Sequence, residues 1–212
     1  AWNGMDVEEI LSLDFFKKKP EIFYAWAKDV WYHLDDYQPN IVHRLVALLE
    51  ARGYTQGVWT QNIDMLHQKA GSKSVYEIHG SPAQHHCTSC NAFRSYADVA
   101  PEVLRGEVPH CKRCGGIVKP DIIFYGENLN VEQLVLAREV FSNADLCLVM
   151  GSSLVVQPAA SFPVLTYREG GKVVLVNAQP TPLDAYASLR FTDLAPVCES
   201  LYGWVEEQSP KI

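Results

Sequence analysis

The sequence predicts an α/β fold, a doubly wound parallel sheet with a smaller lobe attached. Three observations predict it. From Gly53 onward, short β-rich runs alternate with helical stretches, the pattern of a parallel sheet covered by helices. The first 52 residues read as helical throughout. Within the alternating region sit two Cys-x2-Cys pairs, the mark of an insertion folded around a metal ion.

Taken in order, residues 1–52 form a helical module belonging to the smaller lobe. Leu13, Asp14, Phe15 and Phe16 lead into a helix opened by Pro20, whose missing N–H would have no partner in a first turn. Ile22, Phe23 and Trp26 give that helix an apolar face. A second helix follows Pro39, with Ile41, Leu45, Leu48 and Leu49 on one side and Gly53 as its stop. Strands are expected at 57–60, 75–78, 122–124, 146–150 and 172–177, and helices at 131–141 and 158–168. Residues 195–207 read as a closing helix and 209–212 as a loose tail. The sheet domain is thus expected in two parts, 53–83 and 119–212, interrupted by a zinc module at 84–118.

Composition narrows the function classes. The 212 residues are 48% hydrophobic and 20% charged, enough for a real core. A net charge of −7, from 18 basic and 25 acidic residues, argues against direct nucleic-acid binding, which needs clustered Lys and Arg. The acidity suits a cationic peptide partner or simple solubility. No apolar run approaches the roughly 18–20 residues of a membrane span. No signal peptide opens the chain, so the expected location is the cytoplasm. The chain begins at Ala1 without an initiator Met, and the protein is expected to continue upstream.

The most specific spacing is Cys87-x2-Cys90, twenty residues, then Cys111-x2-Cys114. Each pair makes a knuckle presenting two thiolates, and two knuckles complete a tetrahedron around Zn2+. Gly115 and Gly116 supply a permissive backbone after the second pair. Disulfides are the alternative, but no secretory signal favours them. Four thiolates leave no open coordination position, so one structural zinc ion is expected. His85, His86 and His110 lie beside the cysteines and are expected at the surface. Cys147 lies in an apolar strand and reads as a small buried hydrophobe.

Polar residues gather at strand ends, where α/β sheets place their ligands. Thr60-Gln61-Asn62-Ile63-Asp64 ends one strand and His79-Gly80 follows the next. Leu146–Met150 runs into Gly151-Ser152-Ser153, whose N–H groups and hydroxyls suit phosphate or ribose oxygens. A further strand ends at Asn177, placed to bond a ribose hydroxyl in a Rossmann-like domain. Neither G-x-G-x-x-G nor G-x-x-x-x-G-K-[ST] occurs.

Thr60-Gln61-Asn62-Ile63-Asp64, His79-Gly80, the four cysteines, Pro120-Asp121-Ile122-Ile123-Phe124-Tyr125-Gly126-Glu127, the run from Gly151 through Pro158, and Asn177 together resemble the sirtuin family of NAD-dependent protein deacylases. Their order and spacing span nearly the whole chain, and the compact bacterial or archaeal members are the most similar. The resemblance implies NAD as cofactor and an acetylated-lysine protein or peptide as substrate, with neither nucleic acid nor membrane as partner. It implies a deacetylase that transfers the acetyl group to ADP-ribose and releases nicotinamide. His79 would be the general base that relays a proton from the ribose hydroxyls, a role suited to imidazole. Gln61 and Asn62 would orient the nicotinamide ribose and a water, while Ile63 and Asp64 contact the carboxamide. His79, Asn62 and Asp64 would make up the catalytic set. Gly151, Ser152, Ser153 and Asn177 match positions near phosphate and adenine ribose, and Asp193 and Leu194 the segment that approaches adenine. Ile123, Phe124, Tyr125, Gly126 and Glu127 match the segment to which an acylated peptide adds as an extra strand.

Several departures stand out. The family's Gly-Ala-Gly loop and Asp-Phe-Arg segment are not among these 212 residues. Tyr125 stands where the family often has Phe, and Asn130 where Pro is common. Members that prefer succinyl or malonyl groups carry Tyr-x-x-Arg; here Tyr24 matches but Ala27 replaces the Arg. Without a guanidinium to pair the acyl carboxylate, neutral acyl groups are expected. Two other readings remain open: NAD-dependent ADP-ribosyl transfer, and a non-catalytic module that binds acyl-peptide.

Overall fold

The computed structural model describes residues 1–208, so the tail expected at 209–212 lies outside the described residues. Helices α1 (Val7–Ile10), α2 (Leu13–Lys18), α3 (Pro20–Val30) and α4 (Ile41–Ala51) come first. Strand β1 (Val58–Thr60), the single turn α5 (Leu66–Lys69) and β2 (Val75–Glu77) follow. Next are β3 (Gly80–Cys87), β4 (Phe93–Ser95), α6 (Tyr96–Leu104) and β5 (Val118–Ile122). The chain continues through α7 (Val131–Asn143), β6 (Leu146–Met150), α8 (Phe162–Arg168), β7 (Lys172–Val176), β8 (Leu189–Phe191) and α9 (Leu194–Glu207). The chain forms two compact units, one from residues 1–38, 62–65 and 79–129, the other from 39–61, 66–78 and 130 onward.

The second unit holds the parallel strands. β1 pairs with β2, Val58 opposite Val75, and β6, β7 and β8 form a three-stranded parallel sheet in that order. Val173, Leu175 and Val176 of β7 are buried, as a central parallel strand requires. On one face α7 meets α8, with the Thr166 hydroxyl donating to the Phe141 carbonyl at 2.7 Å and the Phe141 and Phe162 rings 5.2 Å apart. α4 packs on α9, and the Arg52 guanidinium donates to the carbonyls of Glu206 and Gln208. α4 starts on a capping box between Asn40 and His43. It stops with Gly53 N–H on Glu50 O at 3.0 Å and Tyr54 N–H on Leu49 O at 2.9 Å, the paired bonds of a Schellman end.

The first unit is built on aromatic rings. Phe16, Phe23 and Phe124 are buried with centroids 5.0–5.5 Å apart, and Tyr24, Trp26 and Tyr32 surround them. Phe16 meets both other rings edge-on, and such pairs each contribute about 0.5–1.5 kcal/mol beyond their burial. The buried side of α3 is Phe23, Tyr24, Trp26 and Ala27; Ile22 is not on it. β3 pairs antiparallel with both β4 and β5.

Three sequence expectations change. The helix after Pro39 belongs with the parallel strands, because its apolar face is covered by α9. The strand expected at 122–124 is Val118–Ile122; Lys119 and Pro120 conceal it in the sequence, and Phe124 turns into the aromatic cluster instead. Because β3 and β5 pair from Cys87 opposite Val118 down to Gly80 opposite Ile122, the segment through Leu129 joins the first unit rather than the sheet domain.

Candidate functional site

The two cysteine knuckles repeat each other bond for bond. Cys87 N–H donates to Ala92 O at 3.0 Å and Asn91 N–H to Cys87 O at 3.0 Å; Cys111 N–H donates to Gly116 O at 2.7 Å and Gly115 N–H to Cys111 O at 2.9 Å. Asn91 and Gly115, each just after the second cysteine of its pair, take positive φ of 55° and 76°. In both knuckles a backbone N–H, from Ser89 or Arg113, reaches the first sulfur at 3.4 Å. All four Sγ atoms lie within 4.8 Å of one another, with Cys87 to Cys114 at 3.5 Å and Cys90 to Cys111 at 3.6 Å. A tetrahedron with Zn–S bonds near 2.3 Å has edges of about 3.8 Å, so the donor set fits one zinc ion. The three histidines are not part of it. His86 faces Asp121 at 2.8 Å and His110 is exposed.

His85 corrects the surface expectation. It is fully buried, bonded through Nε2 to the Tyr32 hydroxyl at 2.8 Å, and burial together with the nearby Arg94 charge pulls its pKa down to about 3. It is a neutral core imidazole. Cys147 is buried as expected, and burial pushes its thiol up to about 12.

In the second unit, strand ends bring Gln61, Gly151, Ser152, Asn177 and Leu194 together. Gln61 Nε2 donates to Ser152 Oγ at 3.3 Å, joining the ends of β1 and β6. Gly151 N–H donates to Val176 O at 2.9 Å, and a Cβ on Gly151 would meet Leu194 Cδ1 at 3.3 Å. Asn177, buried at the end of β7, donates from its amide to Gln179 O at 2.7 Å. Behind it, Arg190 spans Gln179 O and Asp184, and Asp184 accepts from the Thr181 N–H and hydroxyl. Ser153 and Asp193 are exposed, and Asp193 precedes the first turn of α9 without capping it. Hydroxyls, an amide and a helix start at parallel strand ends are the donor set a dinucleotide's ribose and phosphate oxygens call for.

The first unit holds Asn62, Ile63, Asp64, His79 and residues 123–127. Asn62 Nδ2 donates to Asp64 Oδ2 at 3.3 Å, and Ile63 packs on the aromatic core. His79 is tied through its carbonyl to Ile123 N–H at 2.8 Å, so it shares a backbone bond with the expected peptide segment. Tyr125 uses both backbone groups on the α1–α2 connection, its N–H on Leu11 O at 2.9 Å and its carbonyl on Leu13 N–H at 3.0 Å. A family profile described as Sir2 family matches residues 3–158. The chain belongs to the Sir2 family. An NAD-dependent protein deacetylase of Thermotoga maritima is 42% identical over 184 residues, covering 87% of this chain and 75% of the relative. A solved Sir2 bound to acetylated peptide superposes with a TM-score of 0.86 at 41% identity, covering 94% of this chain and 83% of that one. A Sir2 complex with 2′-O-acetyl-ADP-ribose and a deacetylated p53 peptide gives a TM-score of 0.85 at 41% identity, with 96% and 86% covered. The fold class read from sequence, a Rossmann-like parallel-sheet domain with a zinc-ribbon lobe, is that of these sirtuins.

Two features escaped sequence reasoning. The Thr181–Asp184–Arg190 brace behind Asn177 is made of ordinary turn residues with no motif. Lys119, buried beside residues 122–127, had one legible signal: a lysine inside an apolar run, Ile117-Val118-Lys119-Pro120.

Proposed function

We propose that this chain is an NAD-dependent protein-lysine deacetylase, which moves the acetyl group of an acetyl-lysine peptide onto ADP-ribose and releases nicotinamide. The observation that carries the reading is the bond from Ile123 N–H to the His79 carbonyl, which fixes the base and the peptide segment in one backbone frame within a Sir2-family chain. Bound NAD supplies the electrophilic ribose carbon and the hydroxyl that accepts the acetyl group. His79 takes the proton from that ribose hydroxyl. Asn62 and Asp64 orient the nicotinamide side with Ile63, and Gln61, Gly151, Ser152, Ser153, Asn177, Asp193 and Leu194 hold the remainder. The zinc ion, held by Cys87, Cys90, Cys111 and Cys114, takes no part in bond making.

Residues 123–127 receive the peptide backbone, with Phe124 and Tyr125 excluded because the N–H and carbonyl of each are already engaged. Neutral acyl groups are favoured. Ala27 offers no cation, and the Tyr24 hydroxyl lies in the core, donating to Val118 O at 2.5 Å. A cytoplasmic location accords with bacterial and archaeal relatives, and among the described residues no helix is long and apolar enough to cross a membrane.

The test is nicotinamide release coupled to loss of acetyl-lysine. His79→Ala should lower turnover by at least about 100-fold, the scale of a lost general base. Retained turnover would remove His79 from that role, and label from NAD appearing on protein instead of acetyl-ADP-ribose would move the assignment to ADP-ribosyl transfer. Faster turnover of succinyl-lysine than acetyl-lysine peptide would overturn the acyl preference.

A further inference from the structure

Lys119 is 9% exposed, and all three protons of its ammonium find an acceptor. Nζ lies 3.0 Å from Pro120 O, 2.8 Å from Ile122 O and 2.8 Å from Glu127 Oε2. It also sits 3.9 Å from the centre of the Phe124 ring, a cation–π distance. Glu127 Oε2 in turn accepts from Phe124 N–H at 2.7 Å, and Glu127 N–H donates to Phe124 O at 2.9 Å. Gly126, at φ +91°, occupies the third position of that four-residue turn, where a type II turn needs a positive φ.

Every polar contact of this ammonium thus falls on the stretch from 120 to 127. A buried charge is costly unless its partners are complete, and a hydrophobic side chain would fill the same space at lower cost. A charged residue is instead spent on one turn. That turn follows directly after Ile123, whose N–H is bonded to the His79 carbonyl.

We propose that Lys119 is a positioning residue for the acyl-peptide: its ammonium, with Glu127, locks the 124–127 turn in the shape that presents residues 123–127 to the peptide backbone. The assignment rests on the reading of 123–127 as the peptide segment. Lys119 touches neither substrate nor NAD in this scheme and acts through the turn alone. Its loss therefore moves peptide recognition and leaves the NAD side unchanged.

The experiment compares wild type, Lys119→Met, Lys119→Arg and the double variant Lys119→Met with Glu127→Gln. The double variant removes both charges and so avoids leaving the half-buried Glu127 carboxylate without its ion-pair partner. Steady-state kinetics are measured against acetyl-lysine peptide and against NAD, and amide hydrogen exchange is followed at Phe124 and Glu127. K119M should raise the peptide KM about tenfold, the scale of one hydrogen bond to a charged group, with kcat and the NAD KM within about twofold. Exchange at Phe124 and Glu127 should quicken by about tenfold or more. The double variant should resemble K119M, because the two side chains act as one unit. K119R, which keeps the charge and the donors, should recover most of the peptide KM.

An unchanged peptide KM in a folded K119M protein would overturn the proposal, whether or not exchange quickens. So would equal loss across the peptide KM, the NAD KM and kcat, since that marks general destabilisation. Absence of peptide-dependent nicotinamide release in wild type would count against the deacetylase reading, and the exchange contrast would then decide on its own whether the ammonium holds the turn.

Discussion

Gly116→Ala tests the zinc site at one atom. A Cβ built on Gly116 would stand 2.6 Å from Ser89 Oγ, 2.9 Å from Cys87 Sγ and 3.0 Å from Ser89 Cβ. The Ser89 hydroxyl can rotate away. The Cys87 sulfur cannot move without lengthening its bond to zinc, because Ser89 N–H already holds it at 3.4 Å. Forcing one methyl into so tight a place typically costs about 1–3 kcal/mol. If all of that falls on the metal-bound form, zinc retention weakens by about 5- to 150-fold. Gly115→Ala is the matched control: its Cβ would meet nothing within 4 Å, but its φ of +76° strains any L-residue. That strain, about 1–2 kcal/mol, acts on the backbone and not on a sulfur. Both holoproteins are titrated with a chromogenic chelator, and transfer of zinc is read by absorbance. The expected order is G116A first to release, then G115A, then wild type. If G116A holds zinc as tightly as wild type, or G115A releases it first, the proposed contact with Cys87 is wrong.

Other consequences follow from single hydrogen bonds. The Thr181 hydroxyl lowers the Asp184 pKa below its ordinary value near 3.8 against the opposing effect of burial, and the Thr181 N–H and Arg190 add to the lowering. A lowered carboxyl contributes stability that is full above the unfolded pKa and lost as pH falls through the folded one. Asp184→Asn should therefore lower Tm at pH 7, with the gap to wild type closing below pH 3.8; a gap that widens in acid refutes the brace. Tyr24→Phe strips the buried donor from Val118 O and should cost about 1–3 kcal/mol, read as a lower urea midpoint at unchanged m-value. Its acetyl to succinyl preference should not move, and a shift would place the Tyr24 hydroxyl in the acyl pocket after all.

What the sequence disclosed depended on how local each signal was. The cysteine spacing is set within two knuckles of a few residues, so the zinc site could be read directly. β6 and β7 were legible because buried parallel strands are continuous apolar runs. β5 was displaced because Lys119 looks like a surface residue until its partner at 127 is seen, and that pairing is a matter of tertiary folding. His85 misled for the same reason. Its partner, the Tyr32 hydroxyl, lies 53 positions away, and nothing near His85 in the chain announces a buried imidazole. The helix after Pro39 was read correctly as a helix. Its place was not, since that is set by packing against α5 and, far along the chain, α9.

The β3–β5 ladder gives the zinc ion a reason to matter to a reaction it does not enter. Cys87, at one end of β3, is a ligand and pairs with Val118; Gly80, at the other end, pairs with Ile122 and follows His79 directly. The register is interrupted between Ser81 and His85, so pairing at the Gly80 end is not dictated by simple alternation from the Cys87 end. Two anchors then keep that end in place. Lys119 and Glu127 fix the strand as it leaves Ile122, and the knuckles fix where both strands begin to pair. A slip of one residue in β5 would turn Phe124 out of the aromatic core and carry the Ile123 N–H away from the His79 carbonyl. Such a closed four-thiolate site is suited to preventing that slip: it adds no reactive position, and it fixes one end of the ladder whose other end leads into His79.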